Sequence, residues 1–199
     1  MFIISLAILI YSVILHEVAH GFVAERLGDP TARVKKRLTL NPLPHIDPMY
    51  TIVLPLILLL TNAGIIFGAA KPVPVDPYNF KDPKKDTAIV SLAGPLTNIL
   101  IALLFSLLLR AVPTDFIREI SLVAIHLNVG LAVFNLIPIP PLDGSKILAG
   151  VLSDNLAESM YRLQNYGLAL IFIIFFFFPQ IIFFFTEPIT RFFYALLLP

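Results

Sequence analysis

The sequence predicts an all-α polytopic membrane protein: a helical bundle with a re-entrant segment and a small membrane-associated extended or β element. Three observations carry this expectation. Of the 199 residues, 58% are hydrophobic and only 14% charged, with a mean hydropathy of +0.89, more apolar than a water-facing surface tolerates. The apolar residues gather into stretches at roughly 1–24, 49–69, 88–112, 119–140 and 168–185, each near or above the roughly 18 to 20 residues a helix needs to cross hydrocarbon. The charges cluster between the stretches: Arg26, Arg33, Lys35, Lys36 and Arg37 follow the first, and Lys71, Lys81, Lys84 and Lys85 follow the second. Four or five membrane helices are expected, with both basic loops on the cytoplasmic side by the positive-inside rule.

The elements follow in order. Residues 1–24 have neither the basic start nor the small-residue cleavage site of a signal peptide, so this helix is expected to stay in the mature protein. Stretch 49–69 is interrupted by Pro55, Asn62, Gly64 and Gly68. In KPVPV (71–75), Pro72 and Pro74 lack N–H groups, which leaves Val73 and Val75 to donate along one edge of an extended chain. The alternative there is a polyproline-like loop. Stretch 88–112 is the longest apolar run, and the short connection 113–118 faces outward. Residues 145–166 form an amphipathic cytoplasmic stretch. The Phe-rich run near 175–185, broken by Pro179, reads as lipid-facing bulk in a C-terminal membrane helix at about 167–185. No internal repeat or flexible linker divides the chain, so 1–199 is expected to be one domain with a core at about 5–165 and no inserted peptide-binding module.

Composition excludes other classes. A net charge of +1 and the lack of a basic stripe with interleaved aromatics argue against nucleic acid as a partner. With no cysteine in the chain, a metal would have to be held by nitrogen and oxygen ligands.

The chemistry is concentrated in HEVAH (16–20). His16 and His20 are four apart and so share one helix face one turn apart, where both can reach one metal ion. Glu17 lies beside them, placed to take a proton from an attacking water and deliver it to a leaving amine. Two histidines and a glutamate inside an apolar run cost free energy in lipid and demand a partner. A catalytic zinc needs a third protein ligand. Among the carboxylates Asp143 stands out, because it follows an apolar stretch in NLIPIPPLDG (135–144), whose three prolines let the chain turn toward a buried site. Its Asp-Gly step is equally a common turn signal, so these residues alone leave Asp143 open between ligand and turn.

HEVAH, LNPLPHIDP (40–48) with FGAAKPVPVDP (67–77), SLAGPLTN (91–98) and FNLIPIPPLDG (134–144) together resemble the site-two proteases. These are intramembrane zinc metalloproteases, here in their short form without a peptide-binding insertion. The resemblance runs from about residue 5 to about 165. It implies hydrolysis of peptide bonds in transmembrane protein substrates, one Zn2+ ion held by His16, His20 and Asp143, and Glu17 as the catalytic acid-base. It also points to Asn135 as a polar group near bound substrate, an oxyanion donor, against the alternative of an interhelical hydrogen bond. KPVPV then becomes a candidate edge strand whose Val73 and Val75 hold substrate extended. The chain departs from the short-form pattern at Tyr50, Ala69 and Asp76, none of them a proposed ligand. His45 is expected to make a structural hydrogen bond. Gly94 and Pro95 are expected to allow close helix approach and bending, and Asn98, Asn128 and His126 to bond between helices. A membrane transporter for divalent metal, or a non-catalytic zinc-binding scaffold, is the alternative from another class.

Depth sets the topology. With the loop after HEVAH cytoplasmic, the ligands lie about 12 Å below the cytoplasmic surface. Asp143 can reach them only if 49–69 enters the membrane and returns to the same side, because three full crossings would strand it at the outer face. The expected location is therefore a prokaryotic cell (inner) membrane, with the active site toward the cytoplasm.

Overall fold

A computed structural model describes residues 1–61, 68–112 and 114–199, with the backbone alone at residue 168. Helix α1 (Phe2–Arg26) carries HEVAH in its second half. It ends where Leu27 leads into Gly28, whose φ of 112° is open to glycine and strained for other residues. Asp29 follows and accepts hydrogen bonds from Thr31 N (3.0 Å), the Thr31 hydroxyl, Asp76 N (2.8 Å) and Asn79 Nδ2 (2.7 Å). One carboxylate thereby staples the end of α1 and the short helix α2 (Thr31–Val34) to the segment that precedes the next long helix.

Pro48–Val53 forms a wide π-type turn that runs on into α3 (Leu54–Leu60). These residues, 48 to 60, rise about 20 Å, well short of the roughly 30 Å of hydrocarbon. The chain is back beside its starting point by Ala69: Ala69 N donates to Tyr50 O (3.1 Å), the Thr51 hydroxyl to Ala69 O (2.7 Å), and Lys71 N to His45 O (2.8 Å). The two described ends of the expected re-entrant segment are thus tied together, while Asn62 and Gly64 lie outside the described residues. Among the described residues there is no β-strand, and 71–75 runs without a regular ladder.

Helix α4 (Pro83–Ala111) begins with Asp82 accepting from Lys85 N (3.1 Å) while Asp86 reaches back to Asp82 N (3.1 Å), a reciprocal cap with Pro83 in the first turn. Helix α5 (Asp115–Asn135) returns antiparallel, capped by Thr114. Helices α6 (Asp143–Val151) and α7 (Asp154–Leu163) occupy the stretch read from sequence as an amphipathic loop. Lys84 binds the Leu152 carbonyl and, at 2.9 Å, Asp154, which fastens the start of α4 to the α6–α7 junction. Helices α8 (Gly167–Phe177) and α9 (Pro179–Leu197) close the chain.

Helices α1, α4 and α5 are long and apolar enough to cross a membrane, and the bent pair 154–166 and 169–177, inclined by 85°, is the one further candidate among the described residues. That is three spans, or four if the bent pair is one span, against the four or five expected. Stretch 49–69 is short in its described part, and 168–185 is broken at Pro179, which has no N–H to continue a helix.

The core lies where α4, α5 and α9 meet, around Ala102, Leu109, Ile125, Val129, Val133 and Leu197. Packing beside α1 uses small residues, as membrane helix interfaces do: Ala24, Ala124 and Ala132 are fully buried. Gly150 of α6 leaves a gap that an added Cβ would close to 2.5 Å from Ala88 on α4.

Candidate metal centre

The three proposed ligands converge. His16 and His20 project from one face of α1, and Asp143 opens α6, where an acidic first-turn residue also suits the helix dipole. The turn 136–142 brings it there, through a cis Pro140–Pro141 bond and Leu142 N donating to Ile139 O at 3.0 Å. Gly144 is needed for close approach rather than for an unusual φ: a Cβ there would sit 2.5 Å from the Ile137 carbonyl and against the Leu136 backbone. A larger residue would push Asp143 away from the end of α5.

The distances would suit a metal ion. His16 Nε2 lies 3.1 Å from Asp143 Oδ2, His20 Nε2 3.2 Å from the same oxygen, and the two Nε2 atoms are 3.1 Å apart. Ligand atoms of a tetrahedral zinc with bonds of about 2.0–2.1 Å stand about 3.3 Å apart, so the triangle fits one face of such a tetrahedron. The protons point the same way. His20 Nδ1 faces the Val90 carbonyl at 2.7 Å, which only accepts, so that nitrogen carries the hydrogen and Nε2 a lone pair. His16 Nδ1 faces Asn98 Oδ1 at 2.6 Å. With both rings neutral, two imidazole lone pairs and a carboxylate oxygen meet in one buried space, a donor set that suits a cation. Among the described residues the group comprises these three, and three protein ligands would leave a fourth position open, as in catalytic rather than structural zinc sites.

Gly94 of α4 provides the room. A Cβ on it would lie 2.5 Å from His16 Cε1, His16 Nε2 and His20 Nε2, so the glycine expected to ease helix packing is the wall of the metal pocket. Lys146, one turn beyond Asp143, places its Nζ 3.7 Å from Asp143 Oδ1 and engages the oxygen that faces away from the histidines. Sequence reasoning passed over Lys146, although a cation three residues after a candidate ligand on a helix is a readable signal. It had no means of finding the Val90 carbonyl.

Glu17 is half-buried beside the triad, and its Oε2 accepts the Val73 N–H at 2.8 Å. The N–H assigned to substrate is therefore engaged by the proposed base. Val73 packs into a niche on α1, where a Cβ on Gly21 would lie 2.7 Å from Val73 Cγ1, and Val75 packs against Ala24, Phe80 and Val90. Asn135, the last residue of α5, donates its amide to Leu131 O in its own helix at 2.9 Å, which is neither an interhelical bond nor a contact with the triad. His45 is buried, and its Nε2 donates to the Thr39 carbonyl at 2.9 Å. His126 donates to Leu122 O of its own helix at 2.6 Å, so it does not bond between helices as expected.

Comparison with known proteins agrees with this geometry. The chain is 38% identical over 177 residues to the "Putative zinc metalloprotease YwhC" of Bacillus subtilis, covering 84% of this chain and 77% of that protein. It is 34% identical over 178 residues to the "Putative zinc metalloprotease Rip2" of Mycolicibacterium smegmatis and 29% identical over 178 to that of Mycobacterium tuberculosis. Each mycobacterial match covers 87% of this chain, which spans 66% and 67% of those relatives' lengths. No solved structure matches. The model of peptidase family M50 matches residues 2–179, and the chain belongs to that family, the site-two proteases, which are intramembrane zinc metalloproteases.

Proposed function

We propose that this chain hydrolyses peptide bonds within or beside the membrane-spanning segments of protein substrates, with one zinc ion held by His16, His20 and Asp143 and Glu17 as general acid-base. The triangle of ligand atoms 3.1 to 3.2 Å apart, with each Nδ1 facing an oxygen on the outer side, is the observation that carries the reading. Zinc, when bound, supplies Lewis acidity to the scissile carbonyl and lowers the pKa of water to about 7. The protein supplies the rest. Before substrate binds, Val73 N–H and the half-buried setting hold Glu17 beside the triad; its carboxylate then takes the proton of the attacking water and returns it to the leaving amine. Lys146 turns one oxygen of Asp143 away and leaves Oδ2 facing the imidazoles.

Substrate must reach this buried place unwound, because carbonyls in a helix are already hydrogen-bonded, so segments with helix-weakening residues are favoured. Residues 71–75 line the route beside Glu17, and Val73 can hold an extended substrate once its N–H leaves that carboxylate. Asn135 serves as an oxyanion donor after its amide leaves Leu131. The whole chain acts as one domain, with its catalytic core at about 5–165, in the cell (inner) membrane and its site toward the cytoplasm. The basic loops 33–37 and 81–85 and the closed ends of 49–69 support that orientation.

Purified protein should cleave a model transmembrane substrate and lose that activity to a zinc chelator. Glu17→Gln should keep stoichiometric zinc while turnover falls by at least about a hundredfold, because the amide keeps the shape and cannot accept the proton. Unimpaired cleavage by Glu17→Gln would sink the mechanism.

A further inference from the structure

A line of buried amides runs behind the metal centre through all three long helices. It starts at the Ala124 carbonyl of α5, which accepts Asn128 Nδ2 at 2.9 Å; the second hydrogen of that amide goes to Ser12 Oγ of α1, also at 2.9 Å. Asn128 Oδ1 accepts Asn98 Nδ2 of α4 at 2.9 Å, a nitrogen that also lies 3.5 Å from the Ser12 carbonyl. Asn98 Oδ1 then accepts His16 Nδ1–H at 2.6 Å. Asn98, Asn128 and Ser12 are all buried, in a setting where polar groups left unpaired are costly.

The direction of this line is determined at its far end. A backbone carbonyl cannot donate, so the Asn128 amide must present nitrogen to Ala124 and oxygen to Asn98. Asn98 must answer with nitrogen, which leaves its oxygen for His16. An oxygen there obliges His16 to carry its proton on Nδ1 and turn the Nε2 lone pair toward His20 and Asp143. Were Asn98 flipped, its NH2 would face Nδ1, and the proton would move to Nε2, into the space where the three ligand atoms meet. An ordinary interhelical hydrogen bond between two amides works in either direction. This one works in a single direction.

We propose that Asn98 and Asn128 are positioning residues for the metal centre: a polarity relay, referenced to the Ala124 carbonyl, that sets the tautomer of His16 and so readies it to bind zinc. The proposal rests on the reading of His16 as a zinc ligand. It assigns the amides a role that helix packing alone does not need, and it separates the two histidines, since His20 takes its tautomer directly from a backbone carbonyl while His16 depends on two side chains.

The test measures zinc affinity by competition with a fluorescent chelator on full-length protein in detergent, beside the melting temperature of the zinc-free form. Asn98→Leu should weaken zinc binding by about 10- to 100-fold, the range for losing the hydrogen-bond partner of a metal-ligating histidine. Asn98→Asp, which still accepts from Nδ1 but turns an oxygen toward Asn128 Oδ1, should bind zinc more tightly than Asn98→Leu. Asn128→Leu leaves Asn98 and His16 in place but frees the Asn98 amide to turn; it should weaken zinc severalfold and keeps the proposal testable if Asn98→Leu does not fold. In cobalt-loaded protein, Asn98→Asp should keep the visible spectrum of the wild type. A purely structural role predicts lower melting temperatures with unchanged zinc affinity in both leucine variants, and that result would overturn the relay. Wild-type protein that fails to hold zinc would overturn the ligand reading beneath it.

Discussion

Gly94 decides what the histidines of α1 can do. Packed against α4, His16 and His20 would meet a Cβ at 2.5 Å on any other residue, closer than real contacts allow. Gly94→Ala should therefore displace one or both imidazoles, with loss of zinc and of cleavage, at a stability cost of about 1–3 kcal/mol for overpacking. Elemental analysis of the purified variant for zinc is the check, and full occupancy would show that the wall is softer than the geometry implies. Asp143 and Glu17 are arranged by equally local means. Lys146 takes the spare oxygen of the first and Val73 N–H one oxygen of the second, so each carboxylate has one oxygen committed and presents the other. Neither partner is a metal ligand, and both come from stretches that carry no part of HEVAH.

Between elements, Asp29 does more than its place in a loop suggests. Burial pushes its carboxyl up, but the hydrogen bonds from Thr31, Asp76 N and Asn79 outweigh that and hold it below its ordinary value of 3.8. A carboxylate with a lowered folded-state pKa gives stability that is complete above pH 3.8 and is lost as pH falls through the still lower folded value. Asp29→Ala removes the acceptor of four partly exposed hydrogen bonds and should cost about 1 kcal/mol, seen as a lower melting temperature at neutral pH. The gap between wild type and variant should narrow below pH 3.8, and a gap that stayed constant with pH would show that the charge is not what stabilises the staple. The functional consequence is positional, because the staple fixes residues 76–79 beside the end of α1 and so sets where 71–75 crosses Glu17.

At the scale of the whole molecule, the centre requires α1 and α4 to bring matching depths together. His16 lies ten residues before the end of α1 at Arg26, and Gly94 eleven after the start of α4 at Pro83. At 1.5 Å per residue both sit about 15–17 Å from those ends. They meet only if both ends are on one side of the membrane. The described part of 49–69 is too short to cross, and the hydrogen bonds of Ala69 and Lys71 return the chain to residues 45–51. Single cysteines replacing Lys35 and Lys84 in this cysteine-free chain should then react with a membrane-impermeant thiol reagent from the same, cytoplasmic face. Reaction from opposite faces would refute the re-entrant reading or Asp143 as a ligand.

The membrane character, the HEVAH face and the candidacy of Asp143 were legible in the chain itself, because hydropathy over some twenty residues and a spacing of four on a helix are local properties. Family resemblance added that Asp143 closes the site. The uses to which single residues are put depended on the fold. Gly94, Asn98 and Val90 lie seventy or more residues from the histidines they surround, and nothing in their own neighbourhoods distinguishes a pocket wall, a tautomer-setting amide or a hydrogen-bonding carbonyl from ordinary helix packing. The alternation in KPVPV predicts a donor edge for substrate, yet Val73 N–H goes to Glu17, since an extended chain pairs with whichever acceptor tertiary contact places beside it. The run 168–185 reads as one helix by hydropathy and folds as two, because a single missing N–H at Pro179 outweighs the apolar character around it. Sequence determined which residues could bind metal and which stretches favour lipid. Only the packing of α1, α4 and α5 decided which lone pairs meet, because that depends on directions and distances between atoms far apart in the chain.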